Sequence, residues 1–463
     1  MITTANMRIL EENSIFLGVS LLKLMENAGK GSFDVMNKRF RLKNKKILVV
    51  CHHGNNGGDG FVLIRHLDKI ANVNVYFIGD RKKLKEEARI NFNKLRKNIF
   101  VSNPDFNKYD IIVDAIFGTG FRGNLPSNID YVVDNINKNK AIKVSLDVPT
   151  GVDSDTGDYV KKVNADLIIC FHDIKMGLKS LRKKVKVVNI GIPKEAGKFL
   201  TKREIKLIKR DRFSHKGQNG RVLIIGGSLD LIGAVVLAGL ACYRSGVDLV
   251  KVACPEKSAL ALNSYFPDLI TKKLNGDNFS IKHFDEIKRM SRDVDVILVG
   301  NGMGDVKGLT EKILSLDILK VVDADAIKHV DLRKIKKAVI TPHMGELKEL
   351  LTKNRLELHE LRKNVNNNVV LVKGVVDKIV SKDRVVFNKT GNDAMTVGGT
   401  GDILAGITAG VLAQSKDLFN SACLSAYVNG LIGDALFKEK GYGLIASDFI
   451  EQIPKFMKDF YAR

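Results

Sequence analysis

The chain lacks long apolar runs. None of its hydrophobic stretches approaches the roughly 18 residues that a membrane-spanning helix needs. The first residues, MITTANMRILEENSIF, also lack the layout of a signal peptide, because acidic residues interrupt them before an apolar core develops. Neither a membrane protein nor a secreted one is predicted, and a cytoplasmic location is expected.

Cysteine is scarce, and its spacing shows no pairs. The five cysteines are Cys51, Cys170, Cys242, Cys254 and Cys423. They are scattered along the chain, and most stand inside apolar runs of strand or helix character. This pattern indicates buried thiols in a reducing compartment rather than disulfides or metal ligands.

Acidic residues are outnumbered by basic ones, 52 against 75, which gives a formal net charge of +23. The lysines and arginines are spread over surface segments such as 81–97 and 328–337, without interleaved aromatic residues, and tryptophan is absent. No nucleic-acid-binding module is recognised, so no nucleic-acid partner is expected. We interpret the charge as a general lysine bias, with attraction of nucleotide-like anions as the alternative.

At 463 residues, 44% of them hydrophobic, the chain is long enough for two well-buried domains. The first forty residues have helical spacing, with a stop expected at 27–29. Short apolar strands then alternate with helical segments up to a basic stretch at 195–213, and the same alternation resumes after it. An α/β fold with domains 1–205 and 206–463 is predicted.

Three loops of the first half carry acids or amides beside glycine, and each follows a predicted strand. They contain Asn55, Asn56, Gly57, Gly58 and Asp59; then Asp114 with Gly118, Thr119 and Gly120; then Asp147 with Pro149 and Thr150. In an open parallel sheet such loops meet at the carboxyl ends of the strands, where ligands bind. Oxygen atoms of Asn56, Asp114 and Thr150 suit a hard cation, and the glycines suit phosphates.

The stretch 391–414 combines a glycine-rich turn with a helix and reads GNDAMTVGGTGDILAGITAGVLAQ. Gly398, Gly399 and Gly401 allow backbone N–H groups to close around an anion at the positive end of the helix. Asp402 follows at once, and a carboxylate beside a phosphate favours phosphoryl chemistry over passive binding. The alternative is a glycine C-cap followed by an N-capping aspartate.

These motifs resemble a known enzyme family. The motifs NNGGDG, DAIFGTGFRG and SLDVPTG resemble the NAD(P)H-hydrate epimerase domain, and HKGQNGRVLIIGGS, TPHMGE, VLVKG and GGTGD resemble the ribokinase-like, nucleotide-dependent NAD(P)H-hydrate dehydratase. Together they cover nearly the whole chain in the order of the bifunctional repair enzyme. The resemblance implies a Rossmann-like three-layer sandwich followed by a ribokinase-like α/β domain.

The resemblance also implies an activity. The first domain would interconvert the R and S hydrates of NADH and NADPH, known as NADHX and NADPHX, with the help of K⁺. The second domain would dehydrate the S hydrate at the expense of ADP or ATP with Mg²⁺. A homo-oligomer is expected.

Site residues follow from the resemblance, motif by motif. Substrate residues of the epimerase would be Asn55, Asn56, Gly57, Gly58, Asp59, Gly118, Thr119, Gly120, Phe121, Arg122, Gly123, Asn124 and Asp147, and potassium ligands would be Asn56, Asp114 and Thr150. Substrate residues of the dehydratase would be Ala234, Gly302, His343 and Asp402, and nucleotide contacts Lys373, Gly374, Val375, Val376, Asp377 and Gly401. The candidate catalytic groups are Asp59, Asp147 and Asp402.

The chain departs from the family after Lys373 and Gly374, where Val376 and Asp377 replace a small or hydroxyl-bearing residue. Two other functions stay open: a ribokinase-like kinase of a small alcohol such as a vitamin precursor, and an RNA-associated scaffold. The additional N-terminal domain disfavours the first. The acids Asp59, Asp114 and Asp147 disfavour the second, because RNA binding gains nothing from them.

Overall fold

The structure, a computed structural model, describes residues 1–462 and forms two compact units, Met1–Gly197 and the chain from Lys198 onward. Each unit is built on a sheet that is wholly or mostly parallel and covered by helices, which confirms the predicted α/β class. The boundary predicted between residues 205 and 206 lies shortly after this division.

The first unit contains five α-helices and six strands among the described residues. In chain order these are α1 (Thr4–Phe16), α2 (Leu21–Phe40), β1 (Lys46–Cys51), α3 (Asn55–Leu67), β2 (Asn72–Phe77), α4 (Glu86–Asn93), β3 (Ile111–Ala115), α5 (Ser127–Lys138), β4 (Ile142–Leu146), β5 (Leu167–Phe171) and β6 (Val185–Val188). All strand pairs are parallel, in the order β2-β1-β3-β4-β5-β6.

Strand β1 shows why the first unit has three layers. Ile47, Val49 and Cys51 pack into the core formed with α2 and α3, whereas Leu48 and Val50 pack into the core formed with α5. A strand buried on both faces needs an uninterrupted apolar run, which KILVVC provides. Strands β1, β3 and β4 are neighbours, so the loops that follow them share one edge of the sheet.

The second unit is larger. In chain order its elements are β7 (Ile208–Lys209), β8 (Arg221–Ile225), α6 (Ile232–Arg244), β9 (Leu249–Pro255), α7 (Glu256–Tyr265), β10 (Ile270–Leu274), α8 (Phe284–Met290), β11 (Val296–Val299), α9 (Lys307–Leu314), β12 (Leu319–Val322), β13 (Ala338–Ile340), α10 (Met344–Asn354), α11 (Leu361–Asn364), β14 (Val369–Val372), β15 (Asp377–Val380), β16 (Val385–Asn388), α12 (Thr400–Ser415), α13 (Leu418–Lys440), α14 (Ala446–Met457) and β17 (Tyr461–Ala462). The main sheet has the order β10-β9-β8-β11-β12-β13-β14-β15-β16, and only the last two pairings are antiparallel among the described residues.

Helix α12, which follows the glycine-rich turn, is almost entirely buried between α6 and α13. Two of its glycines permit this close packing. A Cβ atom added at Gly406 would lie 2.2 Å from the carbonyl oxygen of Ala238, and one added at Gly410 would lie 1.9 Å from Ser245 Oγ. The amino end of α12 is therefore held at a fixed place beside the sheet.

From Lys198 onward, the basic stretch predicted as a linker belongs to the second unit. Ile205 and Ile208 are buried in a core with residues of α12, α13 and α14. The backbone N–H of Lys206 donates to Asn420 Oδ1 at 2.8 Å, and β7 pairs with β17. Apolar residues spaced between the basic ones provide this contact, although too few of them alternate to predict a strand.

The predicted helix stop at 27–29 is wrong, because α2 runs without a break from Leu21 to Phe40. Gly29 serves helix packing there. A Cβ atom at this position would lie 2.4 Å from Val62 Cβ and 2.8 Å from the carbonyl oxygen of Asp59, both in α3. The sequence Asn-Ala-Gly fits both a helix end and a point where glycine lets a second helix approach, so the local sequence does not distinguish the two.

Two expectations from composition can be compared with the structure. All five cysteines are free and buried, as predicted. Among residues 1–462, no helix combines the length and apolar character needed to cross a bilayer.

We expect Gly29→Ala to lower the free energy of unfolding of the first unit by about 1–3 kcal/mol, the usual cost of overpacking a core. The measurement is urea denaturation of the full chain, followed through the transition of that unit. Gly54→Ala is the matched control, because a Cβ atom there meets no other atom within 4 Å. Equal stability of the two variants would contradict the packing role of Gly29.

Candidate active sites

A cavity of about 670 Å³ lies at the carboxyl ends of β1, β3 and β4. The predicted residues that line it are Asn55, Asn56, Asp59, Gly118, Thr119, Gly120, Phe121 and Asp147. Gly57 and Gly58 lie behind this wall, where an added Cβ atom would strike the His52 carbonyl oxygen at 1.8 Å or the Met25 methyl group at 2.5 Å. Their lack of side chains lets α3 begin directly at the cavity.

Arg122, from the predicted loop 118–124, forms ion pairs with Asp153 and Asp155 outside the cavity lining. Asp155 also accepts a hydrogen bond from the Thr4 backbone N–H at 2.7 Å, next to the start of α1. Gly123 has a φ of +82°, which favours glycine in the turn before Asn124. This end of the loop is thus tied to neighbouring chain segments.

Asp114 is buried at the end of β3 and binds four groups. Its oxygens accept hydrogen bonds from Thr150 Oγ1 at 2.6 Å, Thr150 N at 2.9 Å, Ser145 Oγ at 2.8 Å and Ile116 N at 3.3 Å. Burial raises the pKa of Asp114, and these hydrogen bonds offset part of the rise. The carboxylate therefore joins two of the three predicted loops.

Asn56 is only 7% exposed, yet neither its amide nitrogen nor its amide oxygen has a hydrogen-bond partner among the described residues. A buried amide without partners is destabilising, so it normally has a ligand or an ordered water. An added Cβ at Gly118 would lie 3.4 Å from the Asn56 side chain and 3.2 Å from Asp147 Oδ2. The free amide thus lies beside the predicted substrate loop.

Lys175 lines the cavity and was not singled out from the sequence. It is 0% exposed, its Nζ lies 2.6 Å from Asp147 Oδ1, and it donates to the Phe171 carbonyl oxygen at 2.8 Å. Asp147 itself has a φ of +60°, an uncommon backbone conformation for a residue other than glycine. In a lysine-rich chain a single lysine carries no signal, and only the fold brings this one to the cavity.

Glu11 of α1 was also missed, and it lines the same cavity. Burial raises its pKa, and the negative charge of Asp147 adds to the rise. The pKa of Asp59 is raised well above its usual range, first by burial and then by Asp147 and Glu11. The cavity thus holds a carboxylate paired with Lys175 together with acids that tend to keep their protons.

In the second unit, α12 is capped by the backbone of Gly399, whose φ is +96°. The Asp402 carboxylate forms no cap. Its Oδ1 accepts a hydrogen bond from Asn301 Nδ2 at 2.7 Å. The capping interpretation of Asp402 is therefore wrong. Burial raises the pKa of Asp402 to about 6, with a smaller rise from the charge of Asp323, while the Asn301 hydrogen bond and Lys373 act in the opposite direction.

Asp323, at the end of β12, connects this aspartate to Lys373. Its oxygens accept hydrogen bonds from Lys373 Nζ at 2.9 Å, Thr341 Oγ1 at 2.7 Å and Asn301 Nδ2 at 2.9 Å. Burial alone would lower the pKa of Lys373, but the charges of Asp323 and Glu346 outweigh burial and raise it. Asp323 was missed, although an acid that directly follows a strand is the signal that identified Asp147.

Lys373 also stands against the glycine-rich turn. A Cβ atom added at Gly401 would lie 3.5 Å from Lys373 Nζ, so the ammonium faces the backbone at the start of α12. Two sources of positive potential, the ammonium and the amino end of a helix, therefore meet at this point. This arrangement suits a phosphate group.

The other predicted residues of this unit surround the same network. Gly302 has a φ of +60°, and its added Cβ would lie 3.3 Å from that of Ala234. His343 caps α10 by accepting hydrogen bonds from Gly345 N and Glu346 N, and its backbone pairs with that of Lys373. The structure thus connects the predicted substrate residues through Asn301, Asp323 and Lys373.

The loop after Lys373 is held by Asp377, the residue that departs from the family pattern. Its Oδ1 accepts a hydrogen bond from Gly374 N at 3.1 Å, and its Oδ2 accepts one from Asn388 Nδ2 at 3.0 Å. Burial raises the pKa of Asp377 to about 6. Val375 is 93% exposed at the tip of this loop, where an apolar side chain is free to meet a ligand.

Comparisons with known proteins match both units. One family model, described as NAD(P)H-hydrate dehydratase, matches residues 222–455, and another, described as YjeF-related protein N-terminus, matches residues 21–177. A relative from Archaeoglobus fulgidus is 37% identical over 98% of this chain and 98% of its own. A relative from Methanocaldococcus jannaschii is 38% identical over 99% of this chain and 94% of its own.

Both relatives are named bifunctional NAD(P)H-hydrate repair enzyme Nnr. Among solved structures, a ribokinase-like superfamily protein from Enterococcus faecalis aligns with 57% of this chain and 96% of its own, with a TM-score of 0.50 and 26% identity. This likeness agrees with the ribokinase-like fold expected for the second unit.

Lys175→Met should lower the free energy of unfolding of the first unit by about 3–5 kcal/mol, because removing one partner of a buried ion pair leaves the other charge uncompensated. Urea denaturation of the full chain measures this loss. The double variant Lys175→Met, Asp147→Asn carries no unpaired charge and should recover most of the stability. A single variant as stable as the wild type would show that no buried ion pair forms there.

Proposed function

Because this chain belongs to the family of bifunctional NAD(P)H-hydrate repair enzymes, we propose that its first unit interconverts the R and S hydrates and its second unit dehydrates the S hydrate with ADP or ATP. The observation that supports this most directly is the network joining Asp402, Asn301, Asp323 and Lys373 at the amino end of α12. Membership in this family favours repair over a small-alcohol kinase or an RNA-associated scaffold.

Dehydration requires the hydroxyl group of the hydrate to leave, and hydroxide is a poor leaving group near neutral pH. Asp402 accepts the hydroxyl proton while the phosphoryl group of the nucleotide is transferred to the same oxygen. Lys373 and the N–H groups near Gly401 stabilise the charge on the transferring oxygens. The carbon–oxygen bond then breaks with its electron pair going to phosphate, the ring nitrogen supplies electrons, and loss of a ring proton restores the reduced nicotinamide.

The loop from Lys373 to Asp377 contacts the nucleotide, and Mg²⁺ accompanies its phosphates. Ala234, Gly302 and His343 surround the hydrate beside Asp402. The net charge of +23 favours the approach of both anionic substrates. The cytoplasmic location, the homo-oligomer and the absence of a nucleic-acid partner stay predictions.

In the first unit, Asp59 acts as the acid that protonates the departing hydroxyl group, since its pKa is raised well above the usual range. Asp147, held by Lys175, then takes a proton from the water that adds to the opposite face of the ring. Residues 55–59 and 118–124 hold the dinucleotide. Exchange of the hydroxyl group between the two faces interconverts the epimers.

The family resemblance also suggests K⁺ in the first unit, and the residues present fit it. The Asn56 amide oxygen lacks a partner among the described residues, and Asp114 is a buried carboxylate whose hydrogen bonds come from uncharged groups. With Thr150, these residues would hold the ion, which would offset negative charge near the phosphates of the substrate.

We expect Asp402→Asn to lower the dehydration rate by about 10²- to 10⁴-fold, because asparagine keeps the shape of aspartate but not its basicity. Since the base must be ionised, the wild-type rate should fall as the pH drops below about 6. The measurement supplies each separated epimer with ADP or ATP and follows the absorbance of reduced nicotinamide.

In the same preparation of Asp402→Asn, R and S hydrates should still interconvert at the wild-type rate, which shows that the first unit is folded, and the affinity for the nucleotide should change little, which shows that the second unit is folded. Near-normal dehydration by this variant would exclude Asp402 as the base. A wild-type protein that dehydrates neither epimer would contradict the proposed function as a whole.

We expect KCl to raise the melting temperature of the first unit relative to choline chloride at equal ionic strength, because a ligand that binds only the folded state stabilises it. Asn56→Leu should abolish this difference with little loss of stability, since its amide has no protein partner to lose. Ser145→Ala, which removes a hydrogen bond to Asp114, is the control that should retain the potassium response. Identical wild-type melting in both salts would count against the site.

A further inference from the structure

Asn301 lies between two carboxylates of the second unit. Its Nδ2 is 2.7 Å from Asp402 Oδ1 and 2.9 Å from Asp323 Oδ2. An amide nitrogen carries two hydrogens, so it can donate one hydrogen bond to each acid. Asn301 therefore joins two groups of like charge that would otherwise repel each other.

The backbone fixes Asn301 in this position. It follows β11 between two glycines with positive φ, Gly300 at +119° and Gly302 at +60°. A Cβ atom added at Gly300 would lie 1.9 Å from the Asp323 carbonyl oxygen, so only glycine lets the chain pass this point. The Asn301 carbonyl oxygen also accepts a hydrogen bond from Gly227 N at 3.0 Å.

Only one end of the Asn301 amide is paired within the described part of the chain. The side chain is 0% exposed, and its Oδ1 has no hydrogen-bond partner among the described residues. A buried carbonyl without a partner lowers the free energy of unfolding, so this oxygen gives no reason for an asparagine here. The value of the residue therefore lies in what its Nδ2 does.

The charged groups near Asp402 come from three other elements. Asp323 follows β12, Lys373 follows β14, and Glu346 lies on α10 at 3.8 Å from Lys373 Nζ. Lys373 is directed to Asp323, at 2.9 Å, and contributes to Asp402 only through its charge. Asn301 is thus the direct hydrogen-bond donor that orients the Asp402 side chain.

We propose that Asn301 is a positioning residue that orients the Asp402 carboxylate and keeps it ionised at the pH at which the second unit works. The proposal rests on the role of Asp402 as the base in dehydration. Burial, the largest influence, raises the pKa of Asp402, and the Asn301 hydrogen bond limits the rise. Without this donor the pKa rises further, and a larger fraction of Asp402 is protonated and inactive at a given pH.

The test compares the pH dependence of kcat for S-hydrate dehydration in the wild type, Asn301→Leu and Asn301→Asp. Leucine removes the donor with little change in volume, and aspartate replaces it with a third carboxyl group. The fall in rate at low pH should move upward by about one pH unit in Asn301→Leu, and further in Asn301→Asp. The factor by which each variant lowers kcat relative to the wild type should therefore be larger at pH 6 than at pH 8.

Thr341→Val provides the matched control. Thr341 donates to Asp323 Oδ1 at 2.7 Å from the other side of the network. Removing the Thr341 hydroxyl group disturbs the same buried cluster but not the hydrogen bond to Asp402. The pH at which kcat falls should therefore stay at the wild-type value, even if the maximal kcat changes. Epimerisation by the first unit of the same chain and the melting temperature of the second unit show whether each variant is folded.

A rate that Asn301→Leu lowers by the same factor at every pH would overturn the proposal, since that is the result of a purely structural role. An unchanged pH profile in Asn301→Leu would also overturn it, and so would a shift of the low-pH fall in Thr341→Val as large as that in Asn301→Leu. If Asn301→Leu does not fold, Asn301→Ala, which also removes the donor without adding a charge, is measured in its place, with the same expected shift and the same outcome that would overturn the proposal. Failure of the Asp402 assignment has a different signature, because Asp402→Asn would then dehydrate the hydrate at a near-normal rate. Failure of the proposed function as a whole is different again, because the wild type would then dehydrate neither epimer.

Discussion

A carboxylate at the carboxyl end of a buried parallel strand loses its water and must find a partner within the protein. Both units are organised around this constraint, and they meet it in different ways. Asp114 is surrounded by uncharged donors, Asp147 is paired with Lys175, and Asp323 is paired with Lys373. These partners come from distant parts of the chain, so partnering each acid also brings the surrounding loops together.

The way each acid is partnered determines its chemistry. Burial raises the pKa of Asp402 to about 6, and among the described residues its direct hydrogen-bond partner is the Asn301 amide, an arrangement that suits a general base. Burial, and after it the charges of Asp147 and Glu11, raises the pKa of Asp59 well above its usual range, which suits an acid. Two similar sheets thus carry carboxyl groups whose pKa values are raised to different extents, and these suit different roles in an isomerase and a dehydratase on one chain.

Much of the fold was predictable because it rests on local patterns. The apolar run KILVVC predicted a strand before a glycine loop, and the glycines before Asp402 predicted the start of a helix. Prediction failed where one residue type serves two purposes. Gly29 stands in a sequence that is typical of a helix end, yet its role is to let Val62 approach. Nothing in the neighbouring sequence distinguishes a helix end from such a packing contact.

The sequence by itself determined the order of strands and helices, the acids at the strand ends and the glycine turn, because each depends on neighbours within a few residues. Only the tertiary structure decided which partners those acids have. Lys175 reaches Asp147 and Asn301 reaches Asp402 because parallel strands bring distant loops to one edge. A lysine or asparagine far away in sequence carries no mark of that pairing, since burial and distance arise only when the chain folds.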